Sequence, residues 1–185
     1  MRLTGWLKRE SGERAKRRRE WREACRTSLD AGDTERLDDL RARLDGLDPH
    51  GDVELELEML HALERVSELR AITTSDAFPI VETGHRVIGS EPCHFTALVS
   101  LPSDSMQRSG RVLFTRSRSV FVGGGTTIAL PWHAVQHIVR TERDVVLARH
   151  NSDSGIHLRF NTYDDAVAAV FLARKLKEMR QSRVL

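Results

Sequence analysis

The sequence predicts an α+β protein: a charged helical segment of about three helices, then a small seven-stranded antiparallel barrel or sandwich closed by one helix. Three observations carry this. Residues 110–138, GRVLFTRSRSVFVGGGTTIALPWHAVQHI, hold short apolar runs divided by polar or glycine-rich turns. Further short runs flank them at even spacing, the pattern of a small all-β unit. The first 70 residues instead repeat their apolar side chains at helical intervals.

Leu3, Trp6 and Leu7 fall on one side of a helical turn, with Lys8 and Arg9 after them. Residues 12–28 are rich in helix formers and free of proline, with Trp21, Ala24 and Cys25 as a small apolar spot and Leu29 one turn on. Ala31, Gly32 and Asp33 read as a helix stop followed by the cap of a second helix. Leu37, Leu40, Leu44 and Leu47 give that helix one stripe, and Asp48-Pro49-His50-Gly51 breaks it. A third helix spans residues 52–70. Its opening VELELEML alternates like a strand, but Leu55, Met59, Ala62, Val66 and Leu69 recur at helical spacing. Val53, Leu57, Leu60 and Leu63 widen the face, so this helix is expected to pack on the second helix and also on the downstream domain or a second copy. Residues 71–91 lose periodicity and read as a linker, with a domain boundary near residue 75: a charged helical segment over 1–75 and a second domain over 76–185.

The expected strands are residues 94–99, 111–115, 119–122, 127–130, 135–141, 145–149 and 156–160. Gly123-Gly124-Gly125 supplies a hairpin turn where positive φ is cheap. Pro131 ends the fourth strand because it has no N–H for a ladder. Turn signals at Glu142-Arg143-Asp144 and at residues 151–155 separate the last three. Thr162 caps the final helix, whose wide face is Val167, Val170, Phe171, Ala173 and Leu176, with Arg174, Lys175, Lys177 and Arg180 toward its negative end.

The net charge of +2 conceals segregation: residues 1–30 carry 10 basic and 5 acidic side chains, and residues 31–70 carry 5 and 12. Such blocks invite oppositely charged partners, each other included. With 30% charged residues and no apolar run approaching the length of a bilayer span, a transmembrane protein is not expected. Two cysteines in regions of different character suggest no disulfide framework. The expected location is the cytoplasm, at most peripheral to the inner membrane face, and no secretory signal is read at the N-terminus.

Gly110, Thr115-x-x-Arg118 and Val120-Phe121 resemble the GRLVLTNRRLVF run of bacterial PH-like and GRAM-like domains. Leu130-Pro131-x-x-x-Val135-x-x-Ile138 resembles the IPLxxIxxI run that follows it in that family. The resemblance covers about residues 80–180. It implies a PH-like seven-stranded antiparallel barrel plugged by its C-terminal helix, a platform for lipids, peptides, proteins or its own copies. Ser119 stands where the family has leucine, and around the first two strands the chain offers Arg108 and Arg111.

No catalytic constellation emerges, and the expectation is a non-enzymatic binding or assembly module with no cofactor and no metal. His133 and His137 lie four apart in a strand-corner segment, and ordinary histidines explain them better than a metal site. Cys93 beside His94 reads as a buried structural thiol. The triple glycine lacks the Gly-Lys-Ser/Thr of a phosphate loop. Trp132 reads as a core residue closing one end of the barrel, against an exposed anchor. The strongest charge feature is Lys16, Arg17, Arg18 and Arg19, with Arg14 and Arg22 beside them. It is either a solvated face pairing with the acidic helices or a binding element. With Trp6 it would meet an anionic membrane; alone it would meet nucleic-acid phosphates without sequence preference. On the barrel, Arg108, Arg111, Arg116 and Arg118 are the candidate rim. Self-association or a protein partner leads, through the barrel and the helices; an anionic membrane surface is the alternative and nucleic acid comes third. No small-molecule substrate is indicated.

Overall fold

A computed structural model describes residues 3–47, 53–73, 78–149 and 155–181, with side chains in the first helix from residue 12 onward. The expected break at Asp48 to Gly51, the linker residues Thr74 to Asp76 and most of the turn after residue 150 fall outside the described residues. So do the side chains of Leu3, Trp6 and Leu7. The chain divides into two compact units, Met1–Ser67 and Glu68–Leu185, and the division falls within the third helix.

The first unit contains α1 (Leu3–Ala31), α2 (Leu37–Asp45) and most of α3 (Glu54–Thr73). The apolar spot on α1 is its packing face: Trp21 and Cys25 are fully buried, and Leu29 nearly so. Burying an indole requires a partner for its N–H, and Trp21 Nε1 donates to Leu40 O of α2 at 2.8 Å. α1 ends in a Schellman arrangement, with Asp33 N donating to Ser28 O and Gly32 N to Leu29 O. The Asp33 side chain corrects the sequence reading. Its Oδ1 accepts from Glu35 N and shapes the turn, while α2 starts later, after Arg36, with no side-chain cap. An aspartate bonding two residues on stabilises a local turn before the helix can use it.

The second unit is a seven-stranded antiparallel sheet with one C-terminal helix, so the chain is α+β with an N-terminal helical segment. The strands are β1 (Cys93–Ser100), β2 (Ser109–Thr115), β3 (Arg118–Gly123), β4 (Thr126–Pro131), β5 (Val135–Thr141), β6 (Asp144–Arg149) and β7 (Ile156–Phe160), and α4 is Tyr163–Gln181. Their spatial order is β4-β3-β2-β1-β7-β6-β5, which fits a PH-like outline. β1 pairs with β2 over its whole length but with β7 only at Val99 and Ser100. Two half-sheets are therefore joined at one corner. Their inner faces share a core around Phe95, Phe114, Phe121, Trp132, Leu147 and Phe160. α4 closes it with Ala166, Ala169, Val170, Ala173 and Leu176; its small side chains let the helix approach closely. The barrel is open, since β4 and β5 end the sheet rather than pairing with each other.

The hairpins follow from their turn residues. Gly124 and Gly125 have φ of 56° and 72°, the geometry of a type I′ turn that matches strand twist. In the β2–β3 turn, Thr115 Oγ1 accepts from Ser117 N and Arg118 N and donates to Arg118 O. Trp132 is fully buried; its Nε1 donates to Thr115 O at 2.9 Å and its ring meets Phe114 edge-on at 5.1 Å. It is the expected core residue. Residues 78–91, read as part of a linker, form a strap. Ile88, at the end of a 3-10 turn (Arg86–Ile88), packs with Cys93, Leu113 and Val120 in a second small core on the outer sheet face. Val81 N bonds Cys93 O, and the Phe78 ring packs on His94.

Candidate ligand-binding surfaces

A concave surface with basic side chains lies between β5 and α4. A bulge at Gln136 interrupts the β5–β6 register and turns the Gln136 carbonyl toward the helix. Lys177 Nζ donates to that carbonyl at 2.6 Å. Gln136, His137 and Ile138 on the strand and Arg174, Lys177 and Glu178 on the helix line an open cleft of about 300 Å³. The strand is placed by its neighbours on either side: Ile138 packs on the core, and Arg140 donates to Tyr163 Oη at 3.0 Å with its guanidinium 5.1 Å from that ring's centre. Because Thr141–Asp144 and Val139–Val146 flank a two-residue turn as bonded pairs, the backbone groups of Ile138 and Arg140 point away from β6. The cleft thus combines an open strand edge with two helix cations.

The four rim arginines do not form one site. Arg108 and Arg111 sit at the end carrying the β1–β2 loop and the Gly124-Gly125 turn. Arg108 pairs with Asp104 at 3.2 Å and donates to Thr126 Oγ1 at 2.7 Å; Arg111 donates to Thr96 Oγ1 at 3.4 Å. Arg116 and Arg118 sit at the β2–β3 turn, at the other end of β2, and five strand residues from Arg111 to Arg116 span about 17 Å. Arg118 is held by Glu91 at 3.0 Å, while Arg116 is exposed. Partial burial works to raise the Glu91 carboxyl. The hydrogen bond from Ser117 and the Arg118 charge work against it, and Glu91 is left below the usual carboxylate range.

The basic run of α1 is also divided by the fold. Arg18 and Arg22 turn inward to Glu56 Oε1, at 3.5 and 2.7 Å, and Lys16 pairs along the helix with Glu20. Arg17 and Arg19 remain exposed. Glu56 is 0% exposed, and its Oε2 has no partner among the described residues. The backbone of Trp6 lies in α1, with its side chain outside the described set.

One constellation escaped the sequence reading. Ser103 Oγ lies 3.0 Å from His157 Nδ1, and His157 Nε2 lies 2.9 Å from Asp144 Oδ1. Neutral His157 can donate from Nε2 and accept the serine proton at Nδ1, the relay of a nucleophile and its base. Arg159 grips Asp144 through both carboxylate oxygens at 3.0 Å, and Ser103 stands exposed. These contacts hold the Asp144 carboxyl below its ordinary range, chiefly through the Arg159 hydrogen bond. The group ties the β1–β2 loop to β6 and β7. His133 and His137 are both exposed, in the 3-10 turn Trp132–Ala134 and on β5. Cys25 and Cys93 are buried free thiols; burial pushes the Cys93 thiol up.

The cleft was hidden because Lys177 and Gln136 are 41 residues apart, and Ser103 and His157 are 54 apart. The available signal was the clustering of Arg174, Lys175 and Lys177 on one helix, read only as charge suited to the helix end.

No family model matches the chain, and no curated protein matches it. Among solved structures, it is similar to the C-terminal domain of an unknown protein from Leishmania infantum, at 16% identity and a TM-score of 0.42, covering 46% of this chain and 86% of that one. It is similar to Inner Membrane Complex Sub-compartment Protein 1 from Toxoplasma gondii, at 19% identity and 0.40, covering 55% and 98%. A structure of the Vav1 exchange factor with its PH and C1 domains matches at 15% and 0.35, covering 78% and 44%. The fold assignment rests on the chain's own strand order and closing helix.

Proposed function

We propose that the chain is a non-enzymatic protein-binding module whose β5–α4 cleft holds an extended acidic segment of a partner. The observation that carries this reading is the open β5 edge with Arg174 and Lys177 alongside it. An extended segment adds to the outward backbone groups of Ile138 and Arg140, and its carboxylates meet the two helix cations. Lys177, now on the Gln136 carbonyl, transfers to an arriving carboxylate, and a ligand N–H takes its place on that carbonyl. The membrane and nucleic-acid readings draw on fewer outward cations than the α1 sequence suggests, since Arg18 and Arg22 serve Glu56.

Fluorescence anisotropy with a labelled Glu/Asp-rich peptide and a Lys-rich peptide of equal length tests the proposal. Binding of the acidic peptide alone, weakened about tenfold or more by Lys177→Glu, about 1.4 kcal/mol, is the expected outcome. Equal binding of both peptides, or a Lys177→Glu variant that binds as well as the parent, rejects it. Binding to anionic vesicles in preference to either peptide favours the membrane reading.

A further inference from the structure

The two ends of the sheet are treated differently. β5 is guarded at one end: a bulge breaks its line at Gln136, and Lys177 covers the carbonyl that the bulge presents. An occupant of that edge has to displace Lys177, which selects for a segment that offers the lysine a carboxylate instead. β4 has neither a bulge nor a covering lysine. Its register with β3 runs unbroken from Arg118–Pro131 to Gly123–Thr126, and Thr126–Pro131, TTIALP, carries no charged side chain. No described strand lies on its far side. Thr127 and Ala129 are exposed.

The type I′ turn fixes which backbone groups are open. Gly123 and Thr126 flank a two-residue turn and form a bonded pair, so Thr126, Ile128 and Leu130 direct their N–H and C=O groups to β3. Thr127 and Ala129 direct theirs outward. Pro131 falls in the same outward phase and has no N–H, which ends the open ladder.

We propose that β4 is a homotypic interface, pairing antiparallel with β4 of a second copy about a two-fold axis at Ile128. In this register Thr127 lies opposite Ala129 of the copy, and Ala129 opposite the copy's Thr127. Each pair exchanges two backbone hydrogen bonds, using every open N–H of the edge. The two half-barrels become one continuous sheet across the axis. Ile128, packed on the core of each copy, meets its own equivalent on the inner side, and the small Thr127 and Ala129 meet on the outer side. A copy is the occupant because the edge is neutral and matches itself in this register. A charged peptide gains nothing here from charge and would favour the cations beside β5. The contact is short, so the dimer is weak and depends on concentration.

Sedimentation velocity of the full chain over about a hundredfold range of concentration tests this. The expected result is a shift from 21.0 kDa toward twice that mass. Ala129→Pro removes an outward N–H that β3 does not use and holds the chain monomeric. Thr127→Glu with Ala129→Glu, and Thr127→Lys with Ala129→Lys, are each monomeric. Their equimolar mixture regains the dimer, because each Glu faces a Lys of the other chain. A parent that stays at 21.0 kDa at the highest concentration overturns the proposal, as does an assembly that Ala129→Pro and both charge variants leave intact. Acidic-peptide binding in Ala129→Pro stays at the parent value, so failure here and failure of the cleft reading are separable.

Discussion

Trp132→Phe is the most informative single change in the sheet. The indole is fully buried, its Nε1 donates to the Thr115 carbonyl at 2.9 Å, and its ring lies edge-on to Phe114. Phenylalanine keeps a ring for Phe114 but is smaller by roughly three heavy atoms, worth about 1–2 kcal/mol once partial relaxation of the cavity is allowed. It also leaves the Thr115 carbonyl without its indole donor in a dry site, which costs about 1–3 kcal/mol. The two effects are comparable, and a total near 3 kcal/mol is expected. Urea unfolding followed by far-UV circular dichroism measures it. At an m-value of about 2 kcal/mol/M the midpoint falls by about 1.5 M without a change of slope. With two compact units the curve need not be two-state, so the shift is read on the transition assigned to the β unit. A loss under about 1 kcal/mol would mean that Trp132 does not hold the β4–β5 corner to the β2–β3 turn, and the reasoning fails.

Two other predictions concern charge. Asp144 and Glu91 both sit below their ordinary values of 3.8 and 4.5, so their stabilisation is fully present above those values and is lost as pH falls through the lower folded ones. The midpoint of the β unit should hold steady down to about pH 5 and decline below it, less steeply in Asp144→Asn; an identical decline in that variant removes Asp144 from the account. In the helical unit, Arg22→Ala strands a fully buried carboxylate with Arg18 at 3.5 Å and should cost about 3 kcal/mol. Glu56→Gln should cost clearly less in thermal unfolding, because the arginines it releases are part-exposed and reach water; the reverse order would show that Glu56 is hydrated in solution.

The β2–β3–β4 meander was the most readable part of the chain because its turns carry their own chemistry. Thr115 bonds the following amides, two glycines accept positive φ, and proline stops a ladder; all of these act within a few residues. The strap before β1 was not readable for the opposite reason. Val87 and Ile88 bury themselves against Leu113 and Val120, which lie more than twenty residues away, so no local period marks them. Asp33 was misplaced because an aspartate serves a turn and a helix cap equally well in sequence. Glu56 was invisible among the alternating glutamates of α3; only the helix phase relative to α1 decides that this one is buried and its neighbours are not. The β5–α4 cleft required knowing that the final helix returns to a strand 41 residues earlier.

The segregated charge of the first 70 residues acquires a physical meaning from these contacts. The basic and acidic blocks meet inside one unit: Arg18 and Arg22 of α1 close on Glu56 of α3, and Arg41 of α2 reaches Glu64 of α3 at 2.6 Å. The exposed pairs contribute little, about 0–1 kcal/mol each. Glu56 differs because desolvation makes its pairing compulsory, and that requirement selects one rotational setting of α1 against α3. Once two of the six clustered cations are committed in this way, the arginine run cannot be counted as a single outward patch. In the β unit, the β5–α4 cleft sets an edge strand beside Arg174 and Lys177, which is why the proposed acidic segment is placed there. The β4 edge carries no charged side chain of its own, so the two proposals place different chemistry on the two edges of one sheet.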